Sequence, residues 1–279
     1  MKALPLLSRR RAATLLCLVG ALIAIWSVSL AGHNASAATH RDAPAVKPTI
    51  VLVHGAFADA SSWDGVIYRL QRDGYTVVAP ANPLRDLYSD AAYIAGILSQ
   101  IKGPIILVGH SYGGAVISTA AAGNSEVKAL VYVDAFIPDV GENLLDLVGQ
   151  GSELSSALVP DNYPPFGPND VEVEVNPSMY HAVFAADVPA AQAAVMAATQ
   201  RPLALAAAQE PAQVAAWKTI PSWDVVGMAD KVITPEEQLF MAHRANAKIT
   251  EIPGASHVSM VSHPSIVAHV IEEAATQEG

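Results

Sequence analysis

The apolar run Ile105-Ile106-Leu107-Val108 leads directly into Gly109-His110-Ser111-Tyr112-Gly113-Gly114, and helical character follows to residue 122. A strand, a sharp turn with glycine two residues either side of a serine, and then a helix leave few architectures open. The turn lifts the serine hydroxyl clear of the backbone, and the glycines let helix and strand approach. The helix N-terminus then brings free N–H groups and a positive dipole end to the same point.

The same order repeats along the chain. Thr49-Ile50-Val51-Leu52-Val53-His54, stopped by Gly55, reads as a buried strand. Residues 62–72 place Trp63, Val66, Ile67 and Leu70 at helical spacing and close on Asp73-Gly74. Further strands are predicted over 75–79, 104–108 and 127–133, with helices over 86–101 and 112–122. The alternation resumes with a strand at 223–226, a helix at 235–246, a strand at 248–252 and a helix at 264–274.

Between Phe136 and Lys218 no strong strand is evident, Ala-rich helical pieces such as 185–199 appear, and prolines at 160, 164, 165 and 168 break the stretch. These patterns predict an α/β fold with about six parallel strands flanked by helices and a helical lid between the fourth and fifth strands. The core spans 48–135 and 219–279, and the lid 136–218. No Gly-x-Gly-x-x-Gly nucleotide fingerprint occurs.

The N-terminus has a different character. Lys2 and Arg9-Arg10-Arg11 precede an uncharged apolar run from 12 to 30, and Ala35-Ser36-Ala37-Ala38 supplies small residues of the kind a signal peptidase reads. Residues 1–38 are expected to be a signal peptide, by the Sec or the twin-arginine route, with 39–47 a short tail. An uncleaved anchor is the alternative, since the run approaches the roughly 20 residues that span a bilayer. Cleavage after Ala38 removes the chain's single cysteine and four of its 16 basic residues, leaving 12 against 26 acidic and a net charge of −14. A strongly acidic chain is unsuited to nucleic acid, which needs clustered Lys and Arg. One cysteine excludes a disulfide framework.

Serine is a poor nucleophile unless a histidine takes its proton and a carboxylate fixes that histidine's tautomer. In a fold of this order the acid and then the base follow the serine. His257, in Pro253-Gly254-Ala255-Ser256-His257, lies on the loop leaving the last strand, whereas His263 and His269 belong to the final helix. Asp230, in Gly227-Met228-Ala229-Asp230-Lys231, follows the fifth strand. Asp134, ending the fourth strand, is the rival acid, and Asp224, within a strand, a weaker one. An oxyanion would take N–H groups from Tyr112 and Ala56, with Phe57 the runner-up to Ala56. His54 reads as a histidine that holds its loop. Phe57, Phe136, Tyr163 and Phe184 are the expected substrate contacts, and no Arg or Lys stands in the insertion before Arg201.

Val53-His54-Gly55-Ala56 with Trp63 further on, Gly109-His110-Ser111, Ala135-Phe136-Ile137-Pro138-Asp139 and Gly254-Ala255-Ser256-His257 resemble the α/β-hydrolase superfamily. Within it, the chain is similar to the plant methylesterase and hydroxynitrile lyase branch and its bacterial relatives. The resemblance covers essentially everything after residue 38 and includes a first strand close to that start, as in a branch lacking the first two strands of the larger fold. It implies small-ester hydrolysis by Ser111, Asp230 and His257 with no metal or organic cofactor. Lyase members carry a lysine after the catalytic histidine and a threonine in the oxyanion loop; Val258 and Gly55-Ala56 stand there instead. Ser111 also argues against relatives with an aspartate nucleophile. The expected partner is a small neutral ester or lactone, with no nucleic acid and no stable membrane association after signal removal. A lactonase or cofactor-free perhydrolase on the same triad is the alternative, and a non-catalytic exported binding protein the alternative of another class.

Overall fold

The computed structural model describes residues 46–161 and 171–278, so the expected signal segment and Tyr163 lie outside the described residues. In chain order the strands are β1 (Thr49–Val53), β2 (Thr76–Val78), β3 (Ile105–His110), β4 (Val127–Val133), β5 (Leu158–Asp161), β6 (Glu172–Val175), β7 (Leu203–Ala204), β8 (Ser222–Gly227) and β9 (Lys248–Ile252). Six of them form a parallel sheet in the order β2-β1-β3-β4-β8-β9. β3 is buried along its whole length, as a central parallel strand covered on both faces should be.

The strand order decides where a site can form. From β1 the chain steps outward to β2, then returns past β1 to β3 and continues the other way. Right-handed crossovers put the helix Asp64–Arg72 on one face and the helices Leu87–Leu98 and Tyr112–Ala120 on the opposite one. The direction of winding therefore reverses between β1 and β3, and the crevice beyond their carboxyl ends is the favoured ligand position of an open α/β sheet. The loop containing Ala56 follows β1, and Ser111 follows β3.

The segment between β4 and β8 corrects the expectation of an all-helical insertion. Its helices Pro177–Val183 and Ala190–Thr199 accompany a three-stranded antiparallel sheet in the order β5-β6-β7. Glu172-Val173-Glu174-Val175 alternates, so Val173 and Val175 turn inward together. The helix expected from 185 starts only at Ala190, behind Pro189. Backbone bonds attach the insertion to the core, among them Ala204 N–H to the Leu84 carbonyl at 3.0 Å.

Asp224 in β8 is wholly buried, and neither carboxylate oxygen has a protein partner among the described residues. Burial, and then the nearby Asp134 charge, push its pKa well above the usual carboxylate value. A raised folded-state pKa means that the stability is fully present below about pH 4 and is lost as pH rises above it, by at most about 1.4 kcal/mol per pH unit. Asp224→Asn should therefore gain in melting temperature over the wild type as the buffer moves from pH 4 to pH 8. A difference that stays constant with pH would contradict this assignment.

Candidate active site

Ser111 sits between β3 and the helix Tyr112–Ala120 with φ 52° and ψ −124°, the left-handed strain expected of a sharp turn. The turn exists because its neighbours lack side chains. A Cβ on Gly109 would lie 2.5 Å from the Gly113 carbonyl oxygen, and one on Gly113 2.5 Å from the Val53 carbonyl oxygen at the end of β1. Helix, nucleophile strand and β1 thus meet backbone to backbone.

The three residues expected to act together are brought together. His257 Nε2 lies 2.8 Å from Ser111 Oγ, and His257 Nδ1 lies 2.7 Å from Asp230 Oδ2. Asp230 also accepts Val232 N–H at 2.7 Å, Ile233 N–H at 3.2 Å and Gln238 Nε2–H at 2.7 Å. These donors hold the carboxylate in place as an acceptor. With Nδ1–H given to Asp230, Nε2 is free to accept from the serine. All three side chains are buried.

Asp134 takes a different place from the one a rival acid would need. Its Oδ1 accepts Gly227 N–H at 2.9 Å and its Oδ2 accepts Ser259 N–H at 2.8 Å, so it ties the loop of Asp230 to the loop of His257. Burial, then the Asp230 charge, raise its pKa to about 7. Asp134→Asn would turn an NH₂ toward one of those two N–H groups, a loss of about 1–3 kcal/mol. The expected result is a melting temperature lower by on the order of 5 °C with most turnover retained. Asp224 makes no hydrogen bond to the histidine.

The oxyanion donors separate on geometry. Phe57 N–H donates to the Arg201 carbonyl at 3.0 Å, which corrects the runner-up reading, because the insertion already occupies that donor. Tyr112 opens its helix, so its N–H has no intrahelical acceptor. Its phenol points away to Asp90 Oδ2 at 2.7 Å. Ala56 follows Gly55, whose Cβ position is only 2.7 Å from Ser111 Cβ, so the β1 loop lies directly against the nucleophile turn. His54 holds that loop: its Nε2 accepts Asn82 N–H at 2.9 Å, and Nδ1–H donates to the Gly55 carbonyl at 2.9 Å. Burial lowers its pKa to about 4, keeping it neutral.

Of the expected substrate contacts, Phe57 and Phe136 line a cavity of about 50 Å³ at Ser111, together with Leu144, Leu158, Val173 and Leu203. Phe184 does not line it. It packs on the His257 ring with centroids 5.0 Å apart, and on His110 and Phe57. A larger groove of about 190 Å³, between Asp59 and the helix Ala190–Thr199, includes none of the three residues of the relay.

The sequence does not point to Gln238, nor to the hydrogen bonds that Tyr180, expected only as an apolar pocket wall, and His110 make. Tyr180 Oη–H donates to the Phe57 carbonyl at 2.8 Å, and His110 Nε2–H donates to the His257 carbonyl at 2.8 Å. Burial, then His257, hold the His110 pKa well below its usual value, so its ring is a neutral donor. His110 stands inside the Gly109-His110-Ser111 motif, but the motif does not announce this bond; Gln238 is hinted at only as an amide on the inner side of an amphipathic helix. Among the described residues no group of three or more His, Cys, Asp or Glu side chains could hold a metal ion.

The profile of a family described as "Alpha/beta hydrolase family" matches residues 50–270. A carbendazim hydrolyzing esterase of Nocardioides sp. is 32% identical over 124 residues, 40% of this chain and 49% of that protein. The alignment thus spans about half of that relative. The alpha/beta hydrolase nvfD of Aspergillus novofumigatus is 27% identical over 260 residues, 82% of this chain and 97% of that protein. Among solved structures, polyneuridine aldehyde esterase superposes with a TM-score of 0.72 at 18% identity, over 82% of this chain and 99% of its own. A methylesterase from Arabidopsis gives 0.69 at 17% identity, over 82% and 99%. At such identities the likeness is one of fold.

Proposed function

Because the chain belongs to the alpha/beta hydrolase family, we propose that it is an exported serine hydrolase that cleaves small, uncharged carboxylic esters through an acyl-enzyme. The observation that supports this most is the unbroken run of hydrogen bonds from Asp230 through His257 to Ser111, opening on an apolar cavity.

His257 Nε2 takes the Ser111 Oγ proton as the oxygen attacks the ester carbonyl. The N–H groups of Ala56 and Tyr112 receive the developing oxyanion, and Asp230 stabilises the imidazolium. Nε2–H then protonates the departing alcohol. Water, deprotonated by the same nitrogen, releases the acid and restores the serine.

The cavity has room for only a few water-sized groups as it stands. An ester enters as the insertion yields, which fits a reading of 136–218 as a lid. Leu144, Leu158, Val173 and Leu203 offer no charge or hydrogen bond to a substrate, so selectivity rests on hydrocarbon shape. The esterase and hydrolase names of the relatives agree with this reading.

The test is a serine-directed alkylphosphonate with an aryl leaving group, applied to protein lacking residues 1–38. Labelling at Ser111 and hydrolysis of short-chain aryl esters are expected, more readily than of a lactone panel. Preferred lactone opening would favour the lactonase reading, and an unlabelled, ester-inactive protein would sink the enzyme reading. Export is checked by sequencing the N-terminus of the secreted chain, expected at Thr39.

A further inference from the structure

The loop that carries His257 is held from both sides. After the histidine, Asp134 accepts Ser259 N–H, and His110 grips the His257 carbonyl. Before it, the Ser256 hydroxyl leaves the core and donates to Oδ1 of Asp187. Ser256 is buried and directly precedes the histidine. Asp187 belongs to the insertion, in the turn between the helices Pro177–Val183 and Ala190–Thr199. The same turn presses Phe184 onto the imidazole, and one helical turn earlier Tyr180 holds the Phe57 carbonyl.

We propose that Asp187 is a positioning residue for the hydrolysis: through Ser256 it sets the His257 imidazole between Asp230 and Ser111. The inference rests on the hydrolase reading given above. A hydroxyl bonded to a carboxylate is a charge-assisted hydrogen bond, stronger than a neutral one. With the Asp187 side chain only 18% exposed, solvent weakens it little. Proton transfer is sensitive to displacement of the base by fractions of an ångström. On the N-terminal side of the histidine the remaining bonds, such as Ala229 N–H to the Ala255 carbonyl at 2.9 Å, lie one residue further from the ring. An ion pair with His263 accounts for less. His263 Nδ1 is 3.5 Å from Asp187 Oδ2 and already bonds Ser262 Oγ at 2.8 Å.

Four variants of the protein lacking residues 1–38 test this: Asp187→Ala, Ser256→Ala, the double variant, and Asp187→Asn. The readouts are kcat and KM on p-nitrophenyl butyrate, and the limiting rate and half-saturation of phosphonate labelling. Each alanine variant should lose about tenfold in kcat and in limiting labelling rate, with KM and half-saturation within about twofold. The double variant should be no slower than either single one. Asp187→Asn keeps an oxygen acceptor for Ser256 and should recover most of the rate.

Folded single variants as fast as the wild type would overturn the proposal. So would losses that multiply in the double variant, or a loss confined to KM. Should Asp187→Ala fail to fold, Ser256→Ala, which removes a single oxygen, decides the matter. A wild-type protein that takes no label would overturn the hydrolase reading and this inference with it, whereas a labelled wild type with unaffected variants overturns this inference alone.

Discussion

Ser111→Ala is expected to lower ester turnover by at least about 10⁴-fold while leaving the melting temperature within a degree or two of the wild type. Among the described residues the side-chain hydroxyl has one partner, His257 Nε2, so its loss removes the nucleophile and little else. The strained φ of 52° is carried equally by alanine, which brings neither relief nor new strain. His257→Ala should lose turnover to a similar extent, and the double variant should be no slower than either, because the two groups act in one step. Asp230→Asn should also lose activity heavily, but less cleanly. The amide would place donors against Val232 N–H, Ile233 N–H, Gln238 and the histidine, all of which need an acceptor. Kinetics on a short-chain aryl ester, with a thermal melt of each variant, make the comparison. Turnover of Ser111→Ala near the wild-type rate would rule out the acyl-enzyme.

Gly113→Ala should produce the largest loss of stability. Two effects oppose each other here. Alanine in a helix gains up to about 1 kcal/mol over glycine. Its Cβ, however, would sit 2.5 Å from the Val53 carbonyl oxygen and 3.1 Å from that of His54. Both are backbone atoms held in place, Val53 by its pairing with Gly109 of β3 and the His54 carbonyl by Asn82 Nδ2–H at 3.0 Å, so neither can rotate away. Overpacking of this kind costs about 3 kcal/mol or more and wins. A fall in melting temperature on the order of 10 °C follows for a domain of this size, together with lost turnover as Ala56 moves off the nucleophile. An unchanged or higher melting temperature in a far-ultraviolet circular dichroism scan would mean that helix and strand do not meet this tightly.

The six core strands and their surrounding helices could be read from the chain because each is declared locally. Ile105 to Val108 and Ala129 to Val133 are uninterrupted apolar runs, and turns bound their strands. The strands of the insertion escaped because their signals are faint. β5 contains Pro160, β7 is two residues long, and β6 is a four-residue alternation between a Pro-rich stretch and Asn176-Pro177. At the site, Ser111 and His257 were legible because their turns have sequence signatures. The contacts of Asp187, Gln238 and Tyr180 were not, since only packing brings them to Ser256, Asp230 and Phe57, which lie 69, eight and 123 residues away. Phe57 was misread as a free N–H donor for the same reason, its acceptor being 144 residues downstream at Arg201.

That last contact bears on how such a protein could change its substrate. Both backbone groups of Phe57 are held by the insertion, its N–H by Arg201 and its carbonyl by Tyr180. The insertion is therefore not an interchangeable module. Grafting a foreign one would alter the apolar walls and at the same time release the loop beside the nucleophile, so selectivity and rate would fall together. The open route to new specificity is piecemeal: changes at Leu144, Leu158 or Leu203, which only shape the cavity, with the two anchoring positions left as they are.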